Sequence, residues 1–261
     1  EMNQIKDSFC FLFVGHWLKG NIGHDRKDIG MLIKVFAETF KNKAGRNRPA
    51  LVLKTSSATF SIMDRDAISD RIQSILRPYG NKAPNVYLLH GDLTDDEMNS
   101  LYNHSKIKAM VSFTKGEGFG RPLLEFTATG KPVIATGWSG HIDFLKEHSI
   151  LLPGQLTDVH ESAADKFLLK GSKWFTVDYA YASRIIKDVA ENYKKYLDGS
   201  RRQMTYTKKN FTLDMMAEKF ISIIDTALKG VPQQMELKLP KLKKVDEAPK
   251  LKLPKLKKLT T

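Results

Sequence analysis

The chain has 261 residues, of which 41% are hydrophobic and 10% aromatic, and this length and composition predict one large or two small globular domains. The single cysteine excludes a disulfide-stabilised fold, and the absence of any run near the roughly 20 apolar residues of a membrane-spanning helix, or of a visible signal peptide, predicts a cytoplasmic protein. The formal net charge of +13 favours anionic partners such as nucleotide diphosphates, nucleic acids or anionic lipid headgroups.

Short apolar runs alternate with amphipathic segments in the first part of the chain. The runs are typical of buried parallel strands, which are predicted at 9–14, 50–53, 86–89, 109–113, 133–135 and 150–152. Apolar residues at helical spacing predict helices over 29–40 and before Pro78, and a capping box at Thr94 and Glu97 begins another helix. The alternation predicts an α/β fold with a doubly wound, mostly parallel sheet of Rossmann-like type.

The pattern becomes less regular after Pro153. Two further helices are predicted, over 180–197 and 213–228, joined by a basic stretch that contains Arg201 and Arg202. We therefore expect one Rossmann-like domain over residues 1–230, followed by a separate tail over residues 231–261.

The tail contains an internal repeat, in which Leu-Lys-Leu-Pro-Lys-Leu-Lys-Lys occurs at 237–244 and again, unchanged, at 251–258. From Gln233 onward there are nine lysines and three acidic residues, a net charge of +6 (nine minus three). Two prolines prevent a continuous helix. A solvated, flexible tail is the simplest interpretation. The alternative is a tether that holds the protein weakly at an anionic membrane surface or on nucleic acid.

The strongest chemical signal lies between residues 109 and 145. A predicted strand is followed by a loop with Gly116, Gly118 and Gly120, and then by a helix and another strand. Ligands of open parallel sheets bind at such loops, and a helix N-terminus attracts anions, so the loop predicts a phosphate-bearing ligand unless its glycines only form tight turns. Two carboxylates, Glu117 and Glu125, flank the loop. Two carboxylates would repel a bound phosphate. Their presence is therefore unfavourable unless they bind sugar hydroxyls or a developing positive charge.

Residues 117–125, with the sequence EGFGRPLLE, and residues 130–136 resemble the E-x7-E motif of the family 4 glycosyltransferases of GT-B fold. The resemblance covers roughly residues 11–227 and matches the C-terminal, nucleotide-sugar-binding domain of those enzymes. It implies transfer of a sugar from a nucleotide diphosphate sugar of UDP, GDP or ADP type, with retention of configuration and without a cofactor. No counterpart of the N-terminal, acceptor-binding domain is found, so the resemblance implies an acceptor-domain partner and leaves open whether the acceptor is a glycan, a lipid or a protein.

The resemblance implies catalytic roles for three residues. Glu117 matches the first glutamate of the motif and is expected near the donor sugar. Lys27 matches a lysine that binds the diphosphate, where a fixed cation stabilises the leaving group; the alternative is a solvated lysine in a charged loop. His16 occupies the position of a family arginine and would bind phosphate by a hydrogen bond, unless it only forms a hydrogen bond within its own loop.

The resemblance also implies a set of donor-binding groups. Glu125 matches the glutamate that binds the ribose hydroxyls, because one carboxylate accepts hydrogen bonds from two vicinal hydroxyls. The backbone N–H groups that would contact the sugar and the phosphates belong to Gly118, Phe119 and Gly120.

Two other loops are expected at the same site. Lys54 ends a strand and is either a second cation of the site or simply exposed. The loop from His90 to Leu93 lies where the family binds the nucleobase, through backbone contacts. No cluster of His, Cys and Asp has metal-ligand spacing, so no metal site is predicted.

Two function hypotheses from different classes follow. The first is a glycosyltransferase of hexosyltransferase type, or its donor-binding half. The alternative is a non-catalytic nucleotide-sugar-binding or interaction module that the basic tail tethers. The histidine at position 16 favours the second hypothesis, whereas the intact glutamate pair favours the first. A nucleic-acid-binding protein is a third hypothesis that rests on charge alone.

Overall fold

The computed structural model describes residues 2–43, 45, 48–57 and 59–229. The chain divides into two compact units, Glu1–Met216 and Ala217–Thr261. The predicted tail lies outside the described residues. Its boundary at residue 230, its flexibility and its function as a tether therefore stay predictions. Within the described ranges, no helix combines the length and the apolar character needed to cross a bilayer.

Six parallel strands form the centre of the first unit. They are β1 (Cys10–Val14), β2 (Ala50–Lys54), β3 (Val86–Leu89), β4 (Ile107–Val111), β5 (Val133–Thr136) and β6 (Ile150–Leu152). Their spatial order is β3-β2-β1-β4-β5-β6, and every neighbouring pair is parallel, which confirms the predicted doubly wound sheet. The order reverses between β1 and β4. Loops that leave the carboxyl ends of these two strands therefore diverge and open a crevice.

Helices cover both faces of this sheet. Those that pack on it are α1 (Ile29–Phe40), α2 (Ile62–Leu76), α3 (Asp95–Asn103), α4 (Arg121–Thr127) and α5 (Tyr179–Glu191). The described residues also contain α6 (Tyr193–Asn210) and α7 (Leu213–Leu228). The predicted capping box is present at the start of α3, where Thr94 and Glu97 each bond the backbone N–H of the other.

Two hydrophobic clusters lie on opposite faces of the sheet, because successive side chains of a strand point in opposite directions. Phe11 and Phe13 of β1 pack with α1, α2 and α5, whereas Cys10 and Leu12 pack with α3 and α4. Burial raises the pKa of Cys10 to about 12, so its thiol is a protonated part of the core and not a nucleophile.

The chain after β6 forms a hairpin that the sequence pattern did not predict. Strand β7 (Gly154–Asp158) pairs antiparallel with β8 (Lys173–Val177). The sequence of β7 is Gly-Gln-Leu-Thr-Asp, which contains a single large apolar residue and no alternation of apolar and polar positions. Its extended conformation depends on pairing with a partner strand that lies well downstream in the chain.

The helix predicted over 180–197 is wrong, because two helices, α5 and α6, meet at Asn192. The backbone of Asn192 leaves the helical region (φ −120°, ψ 37°), and its side chain donates to Asp188 Oδ1 at 2.6 Å. The predicted basic linker lies inside α6. The buried residues of α6 are polar (Ser200, Gln203 and Thr207), so the helix lacks the apolar periodicity that sequence reasoning depends on.

Candidate functional site

A cavity of about 710 Å³ opens at the carboxyl edge of the sheet. The loops after β1, β2 and β3 line it together with α3 and α4, so it lies where the strand order reverses. Apolar side chains on its wall are Val14, Phe60, Leu93, Met98, Pro122 and Ala128. Polar and charged side chains on its wall are His16, Arg26, Lys27, Lys54, Thr55, Ser56, Asp92, Asp95, Asn99, Tyr102, Arg121 and Glu125.

The structure brings half of the predicted site residues to this cavity. Those that line it are His16, Lys27, Lys54, Leu93 and Glu125. Glu117 is not on the wall, but its carboxylate is bonded to Lys27, which is. The cavity lining does not include the remaining predicted residues, which are Gly118, Phe119, Gly120 and His90.

Two cations contact Glu117 at the end of the cavity near β1. Lys27 Nζ bonds Glu117 Oε1, and Arg26 Nη1 lies 3.5 Å from Oε2 and donates to the Gly116 carbonyl at 2.7 Å. Burial lowers the pKa of Lys27, and the carboxylate of Glu117 opposes that shift. Burial alone would raise the pKa of Glu117, but the Lys27 ammonium and its hydrogen bond outweigh burial and lower it. The result is an ionised pair beside the cavity at neutral pH.

The loop after β5 fixes the backbone of Glu117. Ser139 Oγ accepts a hydrogen bond from Glu117 N–H at 3.0 Å and donates to the Glu117 carbonyl at 2.8 Å. Gly140 N–H donates to the same carbonyl at 3.0 Å. A Cβ atom at Gly140 would lie 2.1 Å from the carbonyl oxygen of Gly118, so only glycine fits. Ser139 has φ 84°, which is uncommon for a residue with a side chain and which the sequence did not signal.

A buried ion pair lies next to Lys27 and Glu117 in the chain. Lys115 is 1% exposed, and its Nζ lies 3.2 Å from Asp28 Oδ2 and 3.0 Å from Thr176 Oγ1. The Tyr179 hydroxyl also donates to Asp28 Oδ2, at 2.6 Å. The pair therefore joins the loop before α1, the loop after β4 and the strand β8. Sequence reasoning missed it because lysine and aspartate in loops are usually exposed.

A second carboxylate in this region, Asp25, couples folding to pH. Its Oδ2 accepts the N–H of Ile29 at 3.2 Å, and its buried Oδ1 has no hydrogen-bond partner within the described ranges. Burial, assisted by the nearby Asp28 carboxylate, raises the pKa of Asp25 to about 6. The pKa in the unfolded chain is about 3.9. The stabilising contribution of the bound proton is therefore complete below about pH 4 and is lost as the pH rises through 6.

We expect Asp25→Asn to remove this pH dependence. Between pH 4 and pH 6.5 the wild type should lose roughly 1–3 kcal/mol more unfolding free energy than the variant. Urea unfolding at several pH values measures the difference. The control is Asp66→Asn, because the Asp66 side chain is 61% exposed. Parallel pH curves for the wild type and Asp25→Asn would contradict the assignment.

Glu125 lies on the α4 wall of the cavity. The Tyr102 hydroxyl donates to Oε2 at 3.1 Å, and Arg121 Nε lies 3.2 Å from Oε1. Each carboxylate oxygen has two lone pairs, so Glu125 can accept further hydrogen bonds from hydroxyls of a ligand.

The other polar residues near the cavity form local contacts. His16 Nδ1 lies 3.1 Å from Ser56 Oγ, so its partner is in the loop after β2 and not, as the alternative for His16 predicted, within its own loop. Lys54 Nζ donates to the Gly91 carbonyl at 2.6 Å, and burial lowers the pKa of Lys54. The His90 ring is directed to Asp64, with Nε2 2.8 Å from Oδ2. Across the part of the chain that the structure describes, no group of three or more His, Cys, Asp or Glu residues has the arrangement of a metal site.

Solved structures share this fold at low sequence identity. The C-terminal domain of a glycosyl transferase group 1 family protein from Francisella tularensis aligns with TM-score 0.57 and 13% identity, over 81% of this chain and 90% of that domain. Sucrose-phosphate synthase from Thermosynechococcus elongatus aligns with TM-score 0.59 and 18% identity, over 88% of this chain and 48% of that protein. HepE from Anabaena, solved in complex with UDP and glucose, aligns with TM-score 0.51 and 14% identity, over 83% and 48%.

The chain thus spans nearly all of the first of these structures and about half of the other two. No curated protein matches the sequence. The family model described as glycosyl transferases group 1 matches residues 23–170, which is more than half of the chain. The chain therefore belongs to the glycosyl transferases group 1 family and has its GT-B type of fold.

Proposed function

We propose that this chain is the donor-binding half of a retaining glycosyltransferase of family 4, and that its cavity binds a nucleotide diphosphate sugar. The observation that carries the proposal is that one cavity contains both a pair of cations, Arg26 and Lys27, and a side chain that accepts hydrogen bonds, Glu125. A nucleotide diphosphate sugar has matching parts, because its diphosphate is anionic and its ribose presents two vicinal hydroxyls.

The roles of the residues follow from their chemistry. Lys27, Arg26 and His16 bind the diphosphate, and the Lys27 ammonium stabilises the charge that develops on the leaving group as the glycosidic bond breaks, without a metal ion. Glu117 holds Lys27 in place and lies beside the sugar. The apolar wall near Leu93 accommodates a uracil, guanine or adenine ring, and the backbone of the E-x7-E loop, residues 118–120, contacts the sugar and phosphates.

The proposal leaves the acceptor to a separate domain. A glycan, a lipid or a protein would bind to an acceptor domain that closes over the cavity, as the resemblance to two-domain enzymes implies. We propose a cytoplasmic location, with the basic tail as a weak contact to a membrane surface or nucleic acid. Membership of a transferase family favours the enzyme over the non-catalytic module.

A nucleotide screen tests the donor site. We expect one of UDP, GDP and ADP, or its sugar conjugate, to raise the melting temperature at millimolar concentration, because a ligand stabilises the state that binds it. Glu125→Ala should weaken the Kd of that nucleotide by about 30- to 100-fold, as expected for a lost charged hydrogen-bond acceptor.

The matched control is Glu191→Ala. Glu191 also pairs with a cation, Lys43, at 3.2 Å, and its exposure of 41% is close to the 38% of Glu125, but it lies outside the cavity. No stabilisation of the wild type by any of the nucleotides, or equal binding by the two variants, would contradict the proposal.

A further inference from the structure

Tyr102 lies in the last turn of α3 and contacts Glu125 of α4. Its side chain is 4% exposed, yet the residue is part of the cavity wall. Its hydroxyl donates to Glu125 Oε2 at 3.1 Å, from a residue 23 positions earlier in the chain. Burial, with the nearby Glu125 carboxylate, raises the pKa of Tyr102, so the hydroxyl remains a protonated donor at neutral pH.

The position of the Tyr102 hydroxyl is fixed from two sides. The ring packs edge-on against Phe126 of α4, with ring centres 5.8 Å apart and an interplanar angle of 85°. The backbone carbonyl accepts a hydrogen bond from Lys131 Nζ at 2.7 Å, and the same ammonium donates to the His104 carbonyl at 3.0 Å. The last turn of α3 is therefore attached to the segment that follows α4, which leaves the hydroxyl little freedom to move.

The second partner of Glu125 is much less constrained. Arg121 lies one helical turn before Glu125, and its side chain is 77% exposed. Water and salt weaken exposed pairs of this kind, and long side chains leave them readily. Of the two partners, the buried tyrosine therefore sets the orientation of the carboxylate.

We propose that Tyr102 is a positioning residue that directs Glu125 toward the ribose and makes the cavity select ribonucleotides over 2′-deoxyribonucleotides. The inference rests on the proposed donor site. With Oε2 bonded from the buried side, the remaining lone pairs of the carboxylate are held where the ribose hydroxyls bind, and no conformational freedom is lost on binding. Without the tyrosine hydroxyl, Glu125 is free to turn toward Arg121 and solvent.

Calorimetric titration of Tyr102→Phe tests this role. The probe is whichever of UDP, GDP and ADP binds the wild type most tightly, together with its 2′-deoxy analogue. We expect the variant to bind the ribonucleotide about five- to tenfold more weakly, as for one lost hydrogen bond of ordinary strength. Binding of the 2′-deoxy analogue should weaken less than binding of the ribonucleotide, because the analogue keeps only its 3′-hydroxyl as a partner for Glu125.

Two comparisons make the test specific. Tyr79→Phe is the matched control, since the Tyr79 hydroxyl donates to Glu38 Oε1 at 2.8 Å on the outer face of α1 and away from the cavity, and both affinities should stay unchanged. Adding Tyr102→Phe to Glu125→Ala should cause no further loss, because the tyrosine acts through the glutamate.

The role of Tyr102 and the donor site can fail separately in this experiment. Equal losses for the ribonucleotide and the deoxy analogue, or no loss at all, would overturn the role of Tyr102 while the donor site stands. Failure of the wild type to bind any of the three nucleotides would overturn the donor site and, with it, the role of Tyr102.

Discussion

Replacing Lys27 with alanine is expected to lower the rate of sugar release from the donor by about 10²- to 10³-fold, the usual effect of removing one group that stabilises transition-state charge. The expectation rests on the place of Lys27, whose ammonium lines the cavity and is held by Glu117. A positioned cation stabilises the diphosphate more as its negative charge grows, so the loss should appear mainly in kcat.

Release of the nucleoside diphosphate from the stabilising sugar nucleotide measures this rate without a known acceptor. Lys43→Ala is the control, because it also removes a lysine that pairs with a glutamate, Glu191, but on the surface. Lys27→Arg should retain part of the rate because it keeps the charge while changing its geometry. If Lys27→Ala and Lys43→Ala have the same kcat, the catalytic role of Lys27 is wrong.

The largest effect on stability is expected at the buried ion pair. Lys115→Met should lower the free energy of unfolding by about 3–5 kcal/mol, because removing one partner of a buried pair leaves the other charge uncompensated. The remaining carboxylate, Asp28, is fully buried, and its Oδ1 has no hydrogen-bond partner in the described residues even with Lys115 present.

Denaturant unfolding of three variants isolates this effect. The double variant Lys115→Met and Asp28→Asn should recover much of the loss, since neither site then carries a charge. The control is Lys195→Met, which breaks a pair with Asp188 at 2.9 Å in which the lysine is 66% exposed. That change should cost less than about 1 kcal/mol. A similarly small cost for Lys115→Met would show that the buried pair does not stabilise the fold.

The fold was largely predictable because its main signals are local. An apolar run such as that of β1 indicates a buried strand, and apolar residues at helical spacing, as in α1, indicate a buried helix face. The capping box at Thr94 indicates where a helix begins. The errors occur where this signal is absent. Helix α6 buries polar residues whose partners lie elsewhere in the chain, as when Thr207 bonds Thr127 at 2.8 Å, and β7 is extended because it pairs with β8.

The candidate site was predictable only in part, for a related reason. Glu117, Glu125 and Lys27 could be singled out because a family resemblance rests on local patterns of residue types. The residues that hold these side chains in place could not be identified from the sequence. Ser139 has an unusual backbone conformation, Lys115 is a charge in a position where burial is rare, and Tyr102 reads as an ordinary aromatic residue of an amphipathic helix.

By itself, the sequence determined the alternation of strands and helices, the doubly wound class of the sheet and the family to which the chain belongs. The tertiary structure decided the strand order, the place of the cavity at its reversal, and the pairs that form across it, such as Lys27 with Glu117, 90 residues apart. The physical reason is one of range. Periodicity and motifs act over neighbouring residues, whereas the pairing of distant side chains depends on how the whole sheet brings their loops together.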